Sequence, residues 1–494
     1  MKTQDQPVES RQHKPLPTGT EPFITPKLIG LVGLLALSAV LGLAFPMIPP
    51  RLQFAVMGIF PAIVFAILIF RNPFIGVYLF YLYEYTRPDG YFPAIQPLRV
   101  AMLIQLATAL AWLTRFLLKG KRSLRWTRLH WLYVGFLAVM AAGVTVAVNN
   151  RWAYDYTQVL VSYFAIFVIA TDQVKSLKQI KRLVWMLLVV HTFFAARGIP
   201  GGGILGEGNS LMGDENDFAL AMNAFLPMAF FIFVYTKSRL EKYLSVIVML
   251  TLTLGVIASM SRGGWVGLMA VVAFCIYRSK RKVLSLFIVG MLAVAVVAFA
   301  PQEYWSEIQT IQNTHEGTAQ TRLDYWKSAV RMWMDNPAVG VGPANGGIRM
   351  PEYYVGPLDA NTRWGRTFHG TLPQVLAETG TLGLLFYLGM IFMAMYVLIR
   401  MARVKPGESY GTSQVLANGL IGGIVGYIAT ATFLSTAYYP QMWTLLNLTM
   451  MLVFCVEARS LESRQQLDSA SPETPPIVKP TIPPETNGAG EGER

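Results

Sequence analysis

Charge is scarce in this chain, and the most reactive side chains are scarcer still. Only 14% of its 494 residues are Asp, Glu, Lys or Arg, where a soluble domain carries roughly a quarter. That shortage excludes a water-soluble fold of this length. The two cysteines, Cys275 and Cys455, both lie in apolar runs, which excludes a disulfide framework and a thiolate metal site. H-E-x-x-H and G-x-x-x-x-G-K are both missing, and with them the usual zinc-protease and phosphate-loop signatures. The first 27 residues are polar and Pro-rich. They lack the apolar core and cleavage site of a signal peptide, so an uncleaved first span is expected. Acidic residues number 28 against 41 basic, a formal charge of +13. The basic excess falls in short clusters between apolar runs, a topology signal rather than a nucleic-acid footprint.

What is present is apolar length. Hydrophobic residues make up 53% of the chain, and runs of about 18 to 20 of them recur, the length needed to cross a bilayer. Candidate spans are Leu28–Phe45, Leu52–Phe70, Pro73–Tyr85, Leu98–Leu118, Leu129–Val148, Tyr154–Ala170, Leu183–Ala196, Phe218–Tyr235, Tyr243–Met260, Trp265–Tyr277, Val283–Ala300, Leu382–Ile399, Val415–Leu434 and Met442–Val456. Pro73–Tyr85 is too short to cross untilted and reads as a half-span or part of a kinked helix. The expected fold is an all-α polytopic integral membrane protein of about 12 to 14 transmembrane helices with one long extracytoplasmic loop containing short helices.

Basic clusters at Lys119–Arg128, Lys175–Arg182, Lys237–Lys242, Arg278–Lys282 and Arg400–Lys405 fall on one side, which the positive-inside rule makes cytoplasmic. The expected organisation is a disordered cytoplasmic tail (1–27), a first membrane part (28–300), a periplasmic loop (301–373), last spans (374–457) and a disordered cytoplasmic tail (458–494). Tyr85, Tyr91, Trp152, Tyr304, Trp305, Tyr353, Tyr354, Tyr438, Tyr439 and Trp443 crowd the outer rim and read as an interfacial aromatic belt, with sugar stacking the sharper reading for those in the loop.

The residues suited to chemistry gather on that outer face. Ser261-Arg262-Gly263-Gly264-Trp265 interrupts an apolar stretch. Arg262 would hold a phosphate through its planar fork of donors, and the two glycines would let the backbone turn and approach a ligand. Thr318 to Met334 reads as an amphipathic helix with apolar positions Leu323, Trp326, Val330 and Trp333 and with Arg322 in its first turn. Asp335-Asn336-Pro337 ends it and Gly340-Val341-Gly342-Pro343 turns. His369 precedes a helix start with Thr371 as cap and Pro373 in the first turn, a setting that disfavours a protonated imidazole and leaves a base. Arg363, Arg366 and Glu378 are candidate substrate-binding residues. A short helix Pro373–Glu378 followed by a span from Leu382 would spare Glu378 deep burial; a deeper Glu378 would need Arg262, Arg322 or Arg366 as partner. Asp214, Glu215 and Asp217 read as helix capping rather than a cation site.

At these residues the sequence resembles the O-antigen ligase family, within the wider group that includes O-antigen polymerases. Three stretches match in order: Ser261-Arg262-Gly263-Gly264; Thr321-Arg322 with Trp326 and then Asn336-Pro337-Ala338-Val339-Gly340-Val341-Gly342; and His369-Gly370-Thr371-Leu372-Pro373 through Glu378-Thr379-Gly380. The family often has Asn after this His, where this chain has Gly370. Gly213 to Ala219 also looks like variants suspected of ligating glycans to proteins.

The resemblance implies a GT-C-like, metal-independent, inverting transferase without a cofactor. Its donor would be an undecaprenyl-pyrophosphate-linked glycan and its acceptor lipid A core or protein, in the bacterial inner membrane with the active site facing the periplasm and membrane lipid around it. It carries the pyrophosphate contacts to Arg262 and Arg322 and the catalytic imidazole to His369. A polymerase shares the motifs and stays open as an alternative. A transporter of an anionic solute is the rival from another class.

Overall fold

The computed structural model describes residues 50–118, 124–203, 212–299, 317–403 and 410–470. The chain divides into two compact units, 1–67 and 68–494. The described part of the first is the start of helix α1 (Pro50–Arg71), and the span expected at Leu28–Phe45 lies outside the described residues, as do Tyr304 and Trp305.

Among the described residues of the second unit the regular secondary structure is all helical. Its main helices are α2 (Pro73–Thr86), α3 (Val100–Leu118), α4 (Arg128–Val146), α5 (Asn150–Gln173), α6 (Leu177–Gly198), α7 (Glu215–Tyr235), α8 (Arg239–Ala258), α9 (Arg262–Arg278), α10 (Lys282–Phe299), α11 (Gly317–Asp335), α12 (Gly346–Tyr353), α13 (Thr371–Met401), α14 (Thr412–Ala431) and α15 (Pro440–Ala470). Among the described residues, nine helices are long and apolar enough to cross a membrane: those of α3 to α8, α13, α14 and the first part of α15. The protein is an all-α, multi-pass membrane protein. α2, at 14 residues, is the expected short helix. α9, at 17 residues, is at the lower limit of length for a crossing.

Helix α7 is apolar on all sides and buried at every position from Asp217 to Ile232, as befits a helix at the centre of a bundle. α14 lies against it through small residues. A Cβ on Gly423 would come within 2.5 Å of the Ala224 carbonyl, and one on Gly426 within 2.5 Å of the Asn223 carbonyl, so only glycine permits this approach.

Two groups of connectors meet at opposite ends of the helices. At one end the basic residues gather: Lys181 pairs with Glu241 at 2.6 Å, and Arg278 donates to Asn418 and to the Ala402 carbonyl. At the other end the starts of α5, α7, α9, α13 and α15 are linked by hydrogen bonds. Ser261 donates to Asn216 (2.7 Å), Tyr439 to Asp217 (2.9 Å) and Thr371 to the Leu434 carbonyl (2.6 Å), while Asn345 accepts from the Asn149 amide (2.7 Å).

α13 is two helices joined at Gly380, whose φ of 65° and ψ of −166° are open essentially to glycine alone. This is the break expected before Leu382. It frees the carbonyls of Ala377 and Glu378 and the amides of Thr381 and Leu382. The segment after α11 takes all four: Val341 N–H donates to Ala377 O (2.9 Å), Gly342 N–H to Glu378 O (3.1 Å), Thr381 N–H to Pro337 O (2.8 Å) and Leu382 N–H to Ala338 O (3.3 Å). A break in a membrane helix survives only when its backbone is paired in this way.

The two glycines leave no room for a side chain. A Cβ on Gly380 would lie 2.5 Å from the Ala338 carbonyl, and one on Gly340, whose φ is 70°, 2.4 Å from the Glu378 carbonyl carbon. Gly380→Ala is expected to cost about 1–3 kcal/mol from backbone strain alone, with the clash adding to it, read as a lower thermal midpoint in detergent. Gly290→Ala, which meets nothing within 4 Å, should melt like the parent; equal midpoints for the two variants would refute the reading.

Candidate active site

The site is built on the end of the bundle where α7, α9 and α13 begin. Ser261 caps α9, its hydroxyl accepting from Gly264 N–H at 3.0 Å. This fixes Arg262, half-buried, as the first helical residue. The glycines after it do not turn the chain or open a ligand approach. They lie inside the helix and admit neighbours: a Cβ on Gly264 would meet that of Ala219 at 2.4 Å, and one on Gly263 would meet Phe433 at 3.2 Å. Phe433 also lies beneath Arg322, whose guanidinium sits 5.8 Å from the ring centroid. Burial and then the neighbouring Arg262 lower the pKa of Arg322, so the two guanidiniums share one field.

Arg322 is carried by α11, which packs differently from the sequence expectation. Leu323 and Val330 are exposed, at 46% and 42%; the buried face is Tyr325, Ala329 and Met332. These three form a small second core with Val341, Met350, Phe368 and Ala377. The expected stripe is wrong because two aromatic residues sit at its edge and bond by their polar ends instead. Trp326 Nε1–H donates to His369 O (3.3 Å) and Trp333 Nε1–H to Thr381 Oγ1 (2.8 Å). α11 is thereby tied to the turn into α13 and to its second half.

His369 stands at the turn into α13 with φ 48°, its ring 5.9 Å from that of Tyr325. Thr371 does not cap the helix. Gly370 occupies the cap position, and the Thr371 hydroxyl is turned to Leu434 and Thr436 in the α14–α15 connector. Burial lowers the His369 pKa, and Arg322 and Arg366 lower it further against an opposing pull from Asp214. Arg262, Arg322, Arg366 and His369 therefore form one electrostatic cluster. Arg363 turns elsewhere: its guanidinium donates to Thr362, and its charge acts on Tyr354. Asp214 is the α7 cap, accepting from Asn216 N–H and Asp217 N–H at 2.8 Å each, as expected of that acidic stretch.

Glu378 is buried, 3% exposed, and the expectation of an arginine partner is not met. Neutral donors hold it: Tyr438 O–H at 2.6 Å, Ala344 N–H at 3.2 Å and Gln374 Nε2–H at 3.3 Å on Oε2, and Gly346 N–H at 3.3 Å on Oε1. The Gly380 break brings the loop amides to the carboxylate, which removes the need for a cation. Sequence reading missed Tyr438, Gln374 and the buried Asn345 because their signals were ordinary. Tyr438 stood in an aromatic belt; in the fold Tyr85, Tyr438 and Trp443 are all interior.

Beside the cationic cluster lies a cavity of about 460 Å³, lined by Glu378, Gln374, Tyr438 and Tyr439 and by Trp152 and Tyr156 of α5. Thr367 and Phe368, the two residues before His369, form part of its wall.

Residues 247–388 match the family model described as O-antigen ligase, the family that the motifs resemble. Arg262, Arg322, Arg363, Arg366, His369 and Glu378 all lie within the matched residues. The chain is also similar to the teichuronic acid biosynthesis protein TuaE of Bacillus subtilis (strain 168), 23% identical over 238 residues, which are 45% of this chain and 46% of that protein. The match thus spans a little under half the length of each.

Glu378→Leu, which strands several donors, should destabilise by about 3 kcal/mol or more, whereas Tyr438→Phe, which removes one hydrogen bond, should cost about 1 kcal/mol. Thermal melts of the purified variants decide; a Glu378→Leu protein as stable as the parent would rule out the network.

Proposed function

We propose that this protein is a glycosyltransferase of the O-antigen ligase type. It moves a glycan from undecaprenyl pyrophosphate to an acceptor hydroxyl, on lipid A core or a protein, at the outer face of the bacterial inner membrane. The observation that supports this reading is a chain of like charges, Arg262 acting on Arg322, and Arg322 and Arg366 acting on His369. Positive charge that lowers the pKa of both Arg322 and His369 makes a setting that favours an anion. A lipid pyrophosphate supplies one and leaves its tail in the bilayer. The basic residues at the opposite end of the helices support a periplasmic site by the positive-inside rule.

In this mechanism the acceptor oxygen attacks the anomeric carbon as the bond to the pyrophosphate oxygen breaks, inverting the centre. His369, kept neutral by burial and its cationic neighbours, takes the acceptor proton. Arg262 and Arg322 stabilise the charge that grows on the departing pyrophosphate. No step calls for a metal or a cofactor. The polymerase alternative draws support from the relative named for teichuronic acid biosynthesis; it differs in the acceptor, a second carrier-linked glycan.

His369→Ala should lower transfer by about 10²–10⁴-fold, and Arg262→Ala by about 10²–10³-fold, with protein level and insertion unchanged. Full transfer by His369→Ala would end its role as base. A lipopolysaccharide gel of a deletion strain separates the readings: long chains stranded on the carrier mark a lost ligase, single repeat units on the acceptor a lost polymerase.

The pH dependence carries a sign. Activity should rise through an ionisation below the ordinary histidine value of 6.5. Asp214→Asn, which keeps the cap but removes an attracting charge, should shift that ionisation lower, and Arg366→Gln should shift it higher. A profile of kcat/KM against pH that does not move in either variant would detach His369 from the step.

A further inference from the structure

The cavity beside the cationic cluster differs from it in charge. Among the described residues that line it there is no Lys, Arg or His, while two carboxylates, Asp155 and Glu378, face it. Arg151 pairs with Asp155 at 3.1 Å and offsets one of them; Glu378 is held by neutral donors alone. An anion entering here would meet two carboxyl groups and no cation in the lining to bind it, so neither the pyrophosphate nor an acidic sugar suits this space.

The remaining lining points to a hydroxyl-rich ring. Trp152 and Tyr156 are 44% and 42% exposed, large aromatic side chains left open at the cavity's rim. The Tyr156 ring lies 5.2 Å from that of Tyr438 at 53°, so the two present an angled aromatic corner rather than a flat stack. The apolar C–H face of a pyranose packs against such surfaces while its hydroxyls stay free to bond. The polar groups to receive them are in place. Ser435 is part of the cavity wall, and its Oγ, shut from solvent, has no hydrogen-bond partner among the described residues, so a turn about its Cα–Cβ bond would offer that hydroxyl to a ligand or water. Among the described residues Glu378 Oε1 accepts the 3.3 Å bond from Gly346 N–H alone, which leaves it room to accept another. A volume of about 460 Å³ falls in the range of small-ligand sites.

We propose that this cavity is a saccharide subsite selective for an uncharged sugar ring, set beside the pyrophosphate site and separated from it by the Thr367–Gly370 segment. It rests on the proposed transferase reading for its role but not for its chemistry. The ring belongs to the donor glycan next to the carrier or to the acceptor, and kinetics tells the two apart.

The test uses the full-length protein in lipid nanodiscs with saturation-transfer NMR and three probes: maltotriose, the N-acetylglucosamine trimer and a glucuronic acid trimer. The neutral trimers should show transfer, reduced about tenfold in Trp152→Ala and also reduced in Ser435→Ala, both variants melting like the parent. The uronate trimer should show none. A uronate signal as strong as the neutral ones, or neutral signals unchanged in both variants, overturns the proposal. In transfer assays a raised KM for the donor assigns the ring to the donor and a raised KM for the acceptor assigns it there; no change in either also overturns it. His369→Ala separates this inference from the proposed function: it should keep the sugar signal while losing transfer. Transfer that persists in His369→Ala with the signal intact would remove the mechanism and leave the subsite standing.

Discussion

Everything in the site leans on four backbone hydrogen bonds across the break in α13. A helix interrupted inside a membrane exposes carbonyls and amides that lipid cannot satisfy, each at a cost of several kcal/mol. Here the segment 337–342 supplies the missing partners, and in return its own amides and carbonyls are satisfied. The exchange requires two backbones in contact, and contact requires Gly340 and Gly380. One arrangement therefore sets the height of Glu378, brings the amides of Ala344 and Gly346 to its carboxylate, and holds α11 against α13. Arg322 and His369 inherit their relative position from it.

This explains why an Asn-Pro turn rich in glycine and a distant Glu-Thr-Gly belong to one pattern. They are the two halves of a single joint. The sequence shows them as separate motifs some forty residues apart, and nothing in periodicity or composition announces that they pair. What was legible was local: the helix start at Arg262, the end of α11 at Asp335, the break before Leu382 and the capping by Asp214. Each depends on a few neighbouring residues, so each can be read from a short window.

What escaped was decided by tertiary contact. Leu323 and Val330 make a convincing stripe, yet α11 buries Tyr325, Ala329 and Met332 because its tryptophans reach for polar partners on α13. Glu378 pointed to an arginine by the rule that buried charges pair. Four neutral donors meet the same need, and three of them come from residues far along the chain. Arg363 was grouped with Arg366 because both sit in one loop, but a three-residue offset in that loop sends them to different surroundings.

The separation of charge at this end of the bundle follows from the same joint. Had Glu378 been satisfied by Arg322 or Arg262, the cations would be neutralised and the site would offer a bound phosphate little. Because backbone amides and Tyr438 hold the carboxylate, Arg322 and Arg366 act on His369 without Glu378 between them. The two environments meet at Thr367–His369, whose first two residues line the aromatic cavity and whose third feels the arginines. A substrate with a charged leaving group at one end and a neutral ring at the other can be oriented by that contrast alone, before any single hydrogen bond is made.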